Sequence, residues 1–483
     1  MKRKVLFIFL SIFILAGIFA QSDDDLFGGS DDAFFTDSDD DLFGGSDDDM
    51  FGDDSIVEVN DVGAKTDLSK GVIFDTGTIK IGGSLSAGLT TNTVLYGPDN
   101  ENLGDNIHDT KLSPDLSAML SVDARPSQTL RMYTKFGFEY PFDNRVEKAY
   151  VLSPSGIPEE KITVADWFKL KELFTDFSVN DTAFFRFGIH TVTWGAGYFF
   201  SPVSDMINSS SIDPEHPENQ VDGSLNLRTQ IVIPNSQDCL WFYVIPSKDF
   251  ENQTAESYAR DTAIAGKADI LLGGWELGVG GLWKYHSAPK AMLTATGSLK
   301  KVSFFGEFVY SYGSANEWAK KAEWDDKSSI IQATAGFSYY WKEQKLNLAA
   351  QYLFEGNDKD PKKKITQYGH NVALMASKGE LFSNKDLSLS LFAMANVGRK
   401  EATVDDIKEM YPVESALATP EELKKFAKEA STVMPALTTK LTLNYSPYKD
   451  MTFGAGPVLT LKDYESKPTF ALQLSAKLGG GKF

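Results

Sequence analysis

The chain has 483 residues and only one cysteine, Cys239. One thiol forms no internal disulfide, so no bridge staples the fold. Cys239 reads as a small packing residue at the start of a strand. After residue 20 no run approaches 18 apolar residues, which excludes a membrane-spanning helix. The five histidines, at 108, 190, 216, 286 and 370, lack the spacing of a metal site. HExxH, GxSxG, P-loop and GxGxxG motifs are absent, so no catalytic residue, metal or cofactor is assigned and the chain does not read as an enzyme. Basic residues are outnumbered, 47 against 67 acidic, and the net charge of −20 argues against nucleic acid.

What is present begins with Lys2, Arg3 and Lys4, followed by the apolar run Val5 to Leu15 and small or apolar residues to Ala20. This reads as a secretory signal peptide over 1–20. The next stretch, 21–55, is an acidic low-complexity repeat. Ser22, Ser30, Ser38 and Ser46 open eight-residue units: SDDDLFGG, SDDAFFTD, SDDDLFGG and SDDDMFGD. Residues 22–54 hold fourteen Asp and no Lys or Arg, so most of the net charge sits in this tail. Repulsion and glycine entropy predict disorder. The tail reads either as a solvated spacer or as a multivalent dock for a periplasmic partner, with avidity from repetition. Residues 56–77 form a linker.

From Thr78 to the end the sequence alternates. Ile79, Ile81, Leu85, Ala87 and Leu89 are separated by polar or small residues, as are Leu116, Ala118, Leu120, Val122 and Ala124. Leu387 to Val397 and Phe470 to Leu478 repeat the pattern. A period of two gives a strand one apolar and one wetter face. About eighteen such segments occur, each near the ten residues that a tilted membrane strand needs. Tight turns such as Gly273–Gly274 and Lys300–Lys301 alternate with longer connections such as 141–166, 193–223 and 398–432. Aromatics gather near segment ends, including Trp241, Trp275, Tyr310, Tyr312, Tyr445 and Tyr448. The chain ends on Phe483.

With these features the chain resembles the porin-like outer-membrane β-barrels of diderm bacteria. The most motif-like stretch is Arg186 to Asn208, RFGIHTVTWGAGYFFSPVSDMIN, which looks like a strand-plus-loop pattern of substrate-channel porins. The resemblance implies an all-β, antiparallel transmembrane barrel over 78–483 with about 18 strands. It implies a cell outer membrane location and contact with outer-membrane lipid. It also implies Phe483 as an assembly signal for the barrel assembly machinery. An even strand number leaves both termini periplasmic.

If apolar residues face lipid, their neighbours line the lumen. That parity turns a basic arc inward: Arg131, Lys135, Lys169, Arg186, His190 and Arg228, against Glu139, with a neutral-polar wall elsewhere. Lys171 and Glu172 sit where the phase slips, as at a bulge. The loop after Trp194 carries Asp205, Asp213, Glu215, His216, Glu218 and Asp222. It reads either as an inward constriction loop opposite the basic arc, giving a transverse field that favours anions, or as a solvated surface loop. In loop 398–432, Thr419, Pro420 and Glu422 predict a capped helix whose apolar stripe packs on neighbouring loops. The reading is a channel for passive diffusion of small hydrophilic solutes, mildly anion-preferring. The alternative is a surface adhesin or structural barrel with a closed lumen.

Overall fold

A computed structural model of the chain describes residues 65–67, 72–97, 110–140, 146–152, 158–164, 168–180, 182–208, 211–215, 221–246, 254–284, 288–313, 328–358, 360–411, 415–416, 418–431, 434–448, 450–464 and 466–482. The expected signal peptide, the acidic repeat, His216, Glu218 and Phe483 lie outside the described residues.

A short hairpin comes first, β1 (Lys65–Asp67) and β2 (Val72–Asp75). Then follow β3 (Ile79–Tyr96), β4 (Lys111–Ser127) and β5 (Leu130–Glu139). A second small hairpin, β6 (Val146–Leu152) and β7 (Pro158–Val164), interrupts the series and, among the described residues, pairs only with itself. The series resumes with β8 (Phe168–Val179), β9 (Ala183–His190), β10 (Ser224–Val232), β11 (Cys239–Ile245) and β12 (Ala263–Leu272). Next are β13 (Trp275–Lys284), β14 (Lys290–Leu299), β15 (Val302–Gly313), β16 (Ser328–Trp341) and β17 (Leu346–Glu355). Last come β18 (Gly369–Lys378), β19 (Leu387–Val397), β20 (Leu437–Tyr448), β21 (Met451–Leu461) and β22 (Thr469–Lys482).

Each long strand pairs antiparallel with the next, and β22 returns to β3 from Phe470↔Tyr96 to Lys482↔Ser84. Leaving out the two short hairpins, eighteen strands close a ring. Closure pairs the backbone groups that an open edge would leave bare, the requirement a membrane imposes on any sheet that crosses it. Where β22 stops, β2 takes its place beside β3, pairing Phe74↔Ile81 and Asp75↔Lys80. Residues read as a linker therefore extend the wall at the seam.

The alternation explains the two faces. Leu85, Val279, Leu293, Leu443 and Leu474 stand exposed on the outer side, where only hydrocarbon would solvate them favourably. Trp275, Tyr310, Tyr312 and Tyr445 are exposed near strand ends, as two interfacial girdles require. Trp241 departs from that expectation: it is buried, pointing inward, and donates Nε1–H to Asp269 (2.7 Å). The phase slip in β8 is a bulge, because Lys135 pairs Glu172 while Phe136 pairs Leu170, so Lys171 is extra.

Connections of two kinds alternate around the ring. One rim has short turns, the longest being 379–386; the other has mostly longer excursions, with the five-residue connection 285–289 as the exception. Among the described residues, three excursions carry α-helices: α1 (Ala255–Asp261), α2 (Pro361–Thr366), and the pair α3 (Val404–Met410) and α4 (Pro420–Ala430). The expected capping box of α4 forms: Thr419 N–H donates to Glu422 Oε2 (2.9 Å), and Glu422 N–H to Thr419 Oγ1 (3.4 Å). The apolar stripe of α4 packs Leu423 and Ala427 on Ile407 of α3. Lys364 of α2 ties this small core to Asp406 (2.6 Å).

Candidate functional site

The site is the barrel interior and the loop between β9 and β10. Its walls come first. Strand parity turns Asp123 and Arg125 of β4, Arg131 and Lys135 of β5, Lys169, Lys171 and Asp176 of β8, Arg186 and His190 of β9, and Arg228 of β10 to the inside. These form a charge ladder. Arg131 bridges Asp123 (3.0 Å) and lies 3.7 Å from Asp176. Arg186 grips Asp176 with Nε at 2.6 Å and a second nitrogen at 3.1 Å. Its guanidinium lies over the Phe174 ring at 4.0 Å, a cation–π contact that fixes its plane.

The ladder alters the expected basic arc. Arg131 and Arg186 keep some solvent access but are carboxylate-paired, because Asp123 and Asp176 share their inward parity. Lys135 is half-buried, Lys169 is exposed, and Glu139 is exposed at the end of β5. His190 and Arg228 are buried. His190 sits edge-on to Phe174, and Arg228 lies over Trp241 at 5.4 Å. The six residues are thus not a uniform lumen lining.

The loop enters the barrel. Val192, Trp194, Val203 and Ile207 are buried against Trp241, Tyr243, Ala265, Leu282, Met292 and Val309 of β11 to β15. Phe199 and Phe200 are buried against Ala349, Leu353 and Ala373 of β17 and β18, flanked by Phe392 and Met394 of β19. Apolar patches thus stand on this inner wall among the neutral-polar residues expected there, such as Gln351 and Thr334. Water would wet such a wall at a cost, and the loop covers it.

Polar wall residues fix the loop backbone. Glu307 of β15 accepts from Gly197 N–H (2.8 Å), Ser201 Oγ–H (3.0 Å) and Val203 N–H (3.0 Å). Gln351 of β17 accepts from Phe199 N–H (2.7 Å) and donates to Phe200 O (2.6 Å) and Thr334 Oγ1 (2.6 Å). Lys267 of β12 donates to Trp194 O (2.9 Å) while paired to Asp269 (2.8 Å). At the loop base, Asn208 accepts from Val192 N–H and donates to Val192 O, both at 2.8 Å. Its side chain thereby imitates a strand partner. Gly195 and Gly197 are forced small: an added Cβ would lie 2.0 Å from Glu307 Oε1 and 1.9 Å from Phe200 O, respectively. Gly188, at φ +142°, would bring a Cβ 2.1 Å from Leu173 O. The motif-like stretch Arg186 to Asn208 is thus the device that seats the loop.

Most described loop carboxylates have cationic neighbours. Glu215 meets Lys440 of β20, and Asp222 meets Lys171 (2.8 Å). Asp213 is exposed and accepts from Glu215 N–H (3.0 Å). Asp205 is half-buried beside Glu355, and burial pushes its carboxyl up to about 6 despite the pull of Lys363. Glu355 in turn holds Gln332 (2.6 Å) and Lys363 (3.2 Å). Contacts on β8, β12, β15, β17 and β20 carry the loop across the lumen. Sequence reasoning missed Glu307 and the Lys267–Asp269 pair, and it placed Gln351 on the inner wall without its role in holding the loop. Their signal is a polar residue of inward parity inside a strand apolar on both faces, as in Val302 to Tyr312.

No family model matches this chain, and no curated protein does. Solved structures do align with it. A triple mutant of the Rhodopseudomonas blastica porin has 9% identity and a TM-score of 0.38, covering 83% of this chain and 99% of its own. OprB of Pseudomonas putida, solved at high pH, has 10% identity and a TM-score of 0.41, with 83% and 94% covered. OccK3 (OpdO) of Pseudomonas aeruginosa has 9% identity and a TM-score of 0.43, with 82% and 95% covered. The fold rests on the strand pairing described above, not on these likenesses.

Proposed function

We propose that the chain is an outer-membrane channel for passive diffusion of small hydrophilic solutes. One observation carries this reading. The loop covers the inner wall of β11 to β19, while polar wall residues on the opposite arc keep solvent access. Ser86, Ser117, Ser121, Asp123, Gln473 and Ser475 are half-buried. The water path runs between that arc and the loop. An eighteen-stranded ring is wide enough to hold an aqueous lumen unless it is filled, and here the loop fills one side.

Selectivity follows from the charges left along the path. Arg131 and Arg186 share Asp123 and Asp176, so the pairs mute one another. Lys135 and Lys169 add positive charge to the same wall. The preference for anions is therefore mild, a local field in a narrow path and not a fixed binding site. The acidic loop opposes this wall less than its composition suggests, because Glu215 and Asp222 are lysine-paired. Transport needs no cofactor and no energy coupling.

The test is reversal potential in a planar bilayer under a salt gradient. Wild type passes anions modestly better than cations. Arg131→Gln with Arg186→Gln leaves Asp123 and Asp176 uncompensated, so selectivity moves toward cations. A folded barrel with no conductance steps contradicts the channel. Unchanged reversal potential in the double variant contradicts the selectivity mechanism.

A further inference from the structure

The short-turn rim is unevenly charged. Three consecutive turns on it, β14–β15, β16–β17 and β18–β19, carry Lys300, Lys301, Lys342, Lys345, Lys378 and Lys385. Only Glu343, Glu380 and Asp386 oppose them there. Five of the six lysines are exposed; Lys378 is half-buried, donating to Gln344 O. Among the described residues of the other short turns the charged ones are acidic, Asp238 and Asp450. Among the described residues, the cations of the short turns therefore form one sector.

That sector also holds an aromatic tip. Phe382 is 92% exposed, the highest figure among the exposed large hydrophobic residues described. It sits in the longest short-side turn, between Lys378 and Lys385. Its φ is +53°, and Glu380 (+54°) and Ser383 (+64°) are left-handed too. Non-glycine residues adopt this region at a cost, and three in one turn hold the ring out from the surface. Tyr448, 71% exposed, stands on the next short turn. A basic sector with a projecting ring fits an acidic segment that carries its own aromatic residues.

Such a segment belongs to the same chain. Residues 22–54 repeat two or three Asp followed by an apolar pair containing Phe. The described chain begins at Lys65, in the hairpin that joins β3 at this same rim. Asp54 and Lys65 are eleven positions apart, up to about 36 Å of extended chain. From the seam to the β18–β19 turn is four strands, roughly 20 Å around the wall at the usual inter-strand spacing. The repeats therefore reach the sector.

We propose that this lysine sector, with Phe382 at its tip, is the dock for the chain's own acidic repeat. Asp side chains meet the lysines, and a repeat Phe packs against Phe382. Several units compete for one sector, so the tail stays captured while individual contacts exchange.

Energy transfer in the full-length mature chain tests this. In a Cys239→Ser background, Ser38→Cys is paired with Asn384→Cys in the sector, or with Ser236→Cys on the opposite arc as control. At 0.1 M salt, transfer to position 384 is expected to be roughly twofold higher than to 236, and to fall to the control level at 1 M salt, where the screening length shrinks to about 3 Å. Replacing Lys300, Lys301, Lys342 and Lys345 together by Gln abolishes the preference, and Phe382→Ser weakens it. A heat-dependent gel shift verifies that each variant is folded. Equal transfer to both positions, or a preference untouched by salt and by the lysine changes, overturns the proposal. So does transfer that disappears on dilution with unlabelled protein, which assigns the dock to another copy's tail.

Discussion

Glu307 concentrates the physics of the lumen in one side chain. It is 3% exposed and takes two backbone N–H groups and a serine hydroxyl from a loop more than a hundred positions away in sequence. Removing it strands those donors in a buried place. Glu307→Ala is expected to destabilise the seated loop by about 3 kcal/mol, the scale for losing a buried charged acceptor. Hydrogen exchange at Gly197 and Val203 reads this directly, and protection equal to wild type refutes it. Gly197→Ala attacks the same joint through space, since its Cβ would meet Phe200 O at 1.9 Å. Asp205 supplies a pH signature. Its carboxyl is raised from 3.8 to about 6, chiefly by burial. The folded state then holds a proton that the unfolded state has released, so its stability falls as pH rises from about 4 to 6. Asp205→Asn imitates the protonated form. The variant should melt higher than wild type at pH 7.5 and no higher at pH 4.

Elements were more legible in the sequence than contacts. Strict alternation fixes which residues face out, and closed pairing makes that face the lipid side. The phase slip at Lys171 was visible as two charged residues breaking a period. The helix at Pro420–Ala430 was visible in Thr419, Pro420 and Glu422, whose spacing is itself the mechanism. What a period of two does not say is what the inner face touches. Strands β11 to β19 contain doubly apolar runs, such as Leu391 to Ala395 and Cys239 to Ile245, where both faces are greasy. Such runs mean cover on both sides, and the cover is the loop. The charge ladder had a signal too: Asp123 shares a face with Arg125, and Asp176 lies opposite Arg186 in β9. That opposition becomes visible only when register is known. At this scale Thr419→Ala should cost α4 about 1 kcal/mol, the usual value of an N-cap. Faster exchange in α4 than in β19 or β20 would report it; unchanged exchange would count against the cap.

For the whole molecule, closure and occupancy are separate matters. Eighteen strands closing from β22 to β3 define a cylinder wide enough for water. The loop from Thr191 to Gly223 determines how much of that width remains. Two apolar clusters and the Glu307 and Gln351 anchors hold it on one side of the ring, and ion pairs to Lys171 of β8 and Lys440 of β20 hold its far end. Freeing it enlarges the passage without disturbing the wall, because Glu307 and Gln351 point inward and take no part in the strand ladder as side chains. The most direct measurement is single-channel conductance of the wild type against Glu307→Ala with Gln351→Ala, both checked for barrel folding. The account predicts steady steps from wild type, and larger, noisier steps from the double variant. Equal steps from the two proteins, or none from a folded wild type, would contradict it.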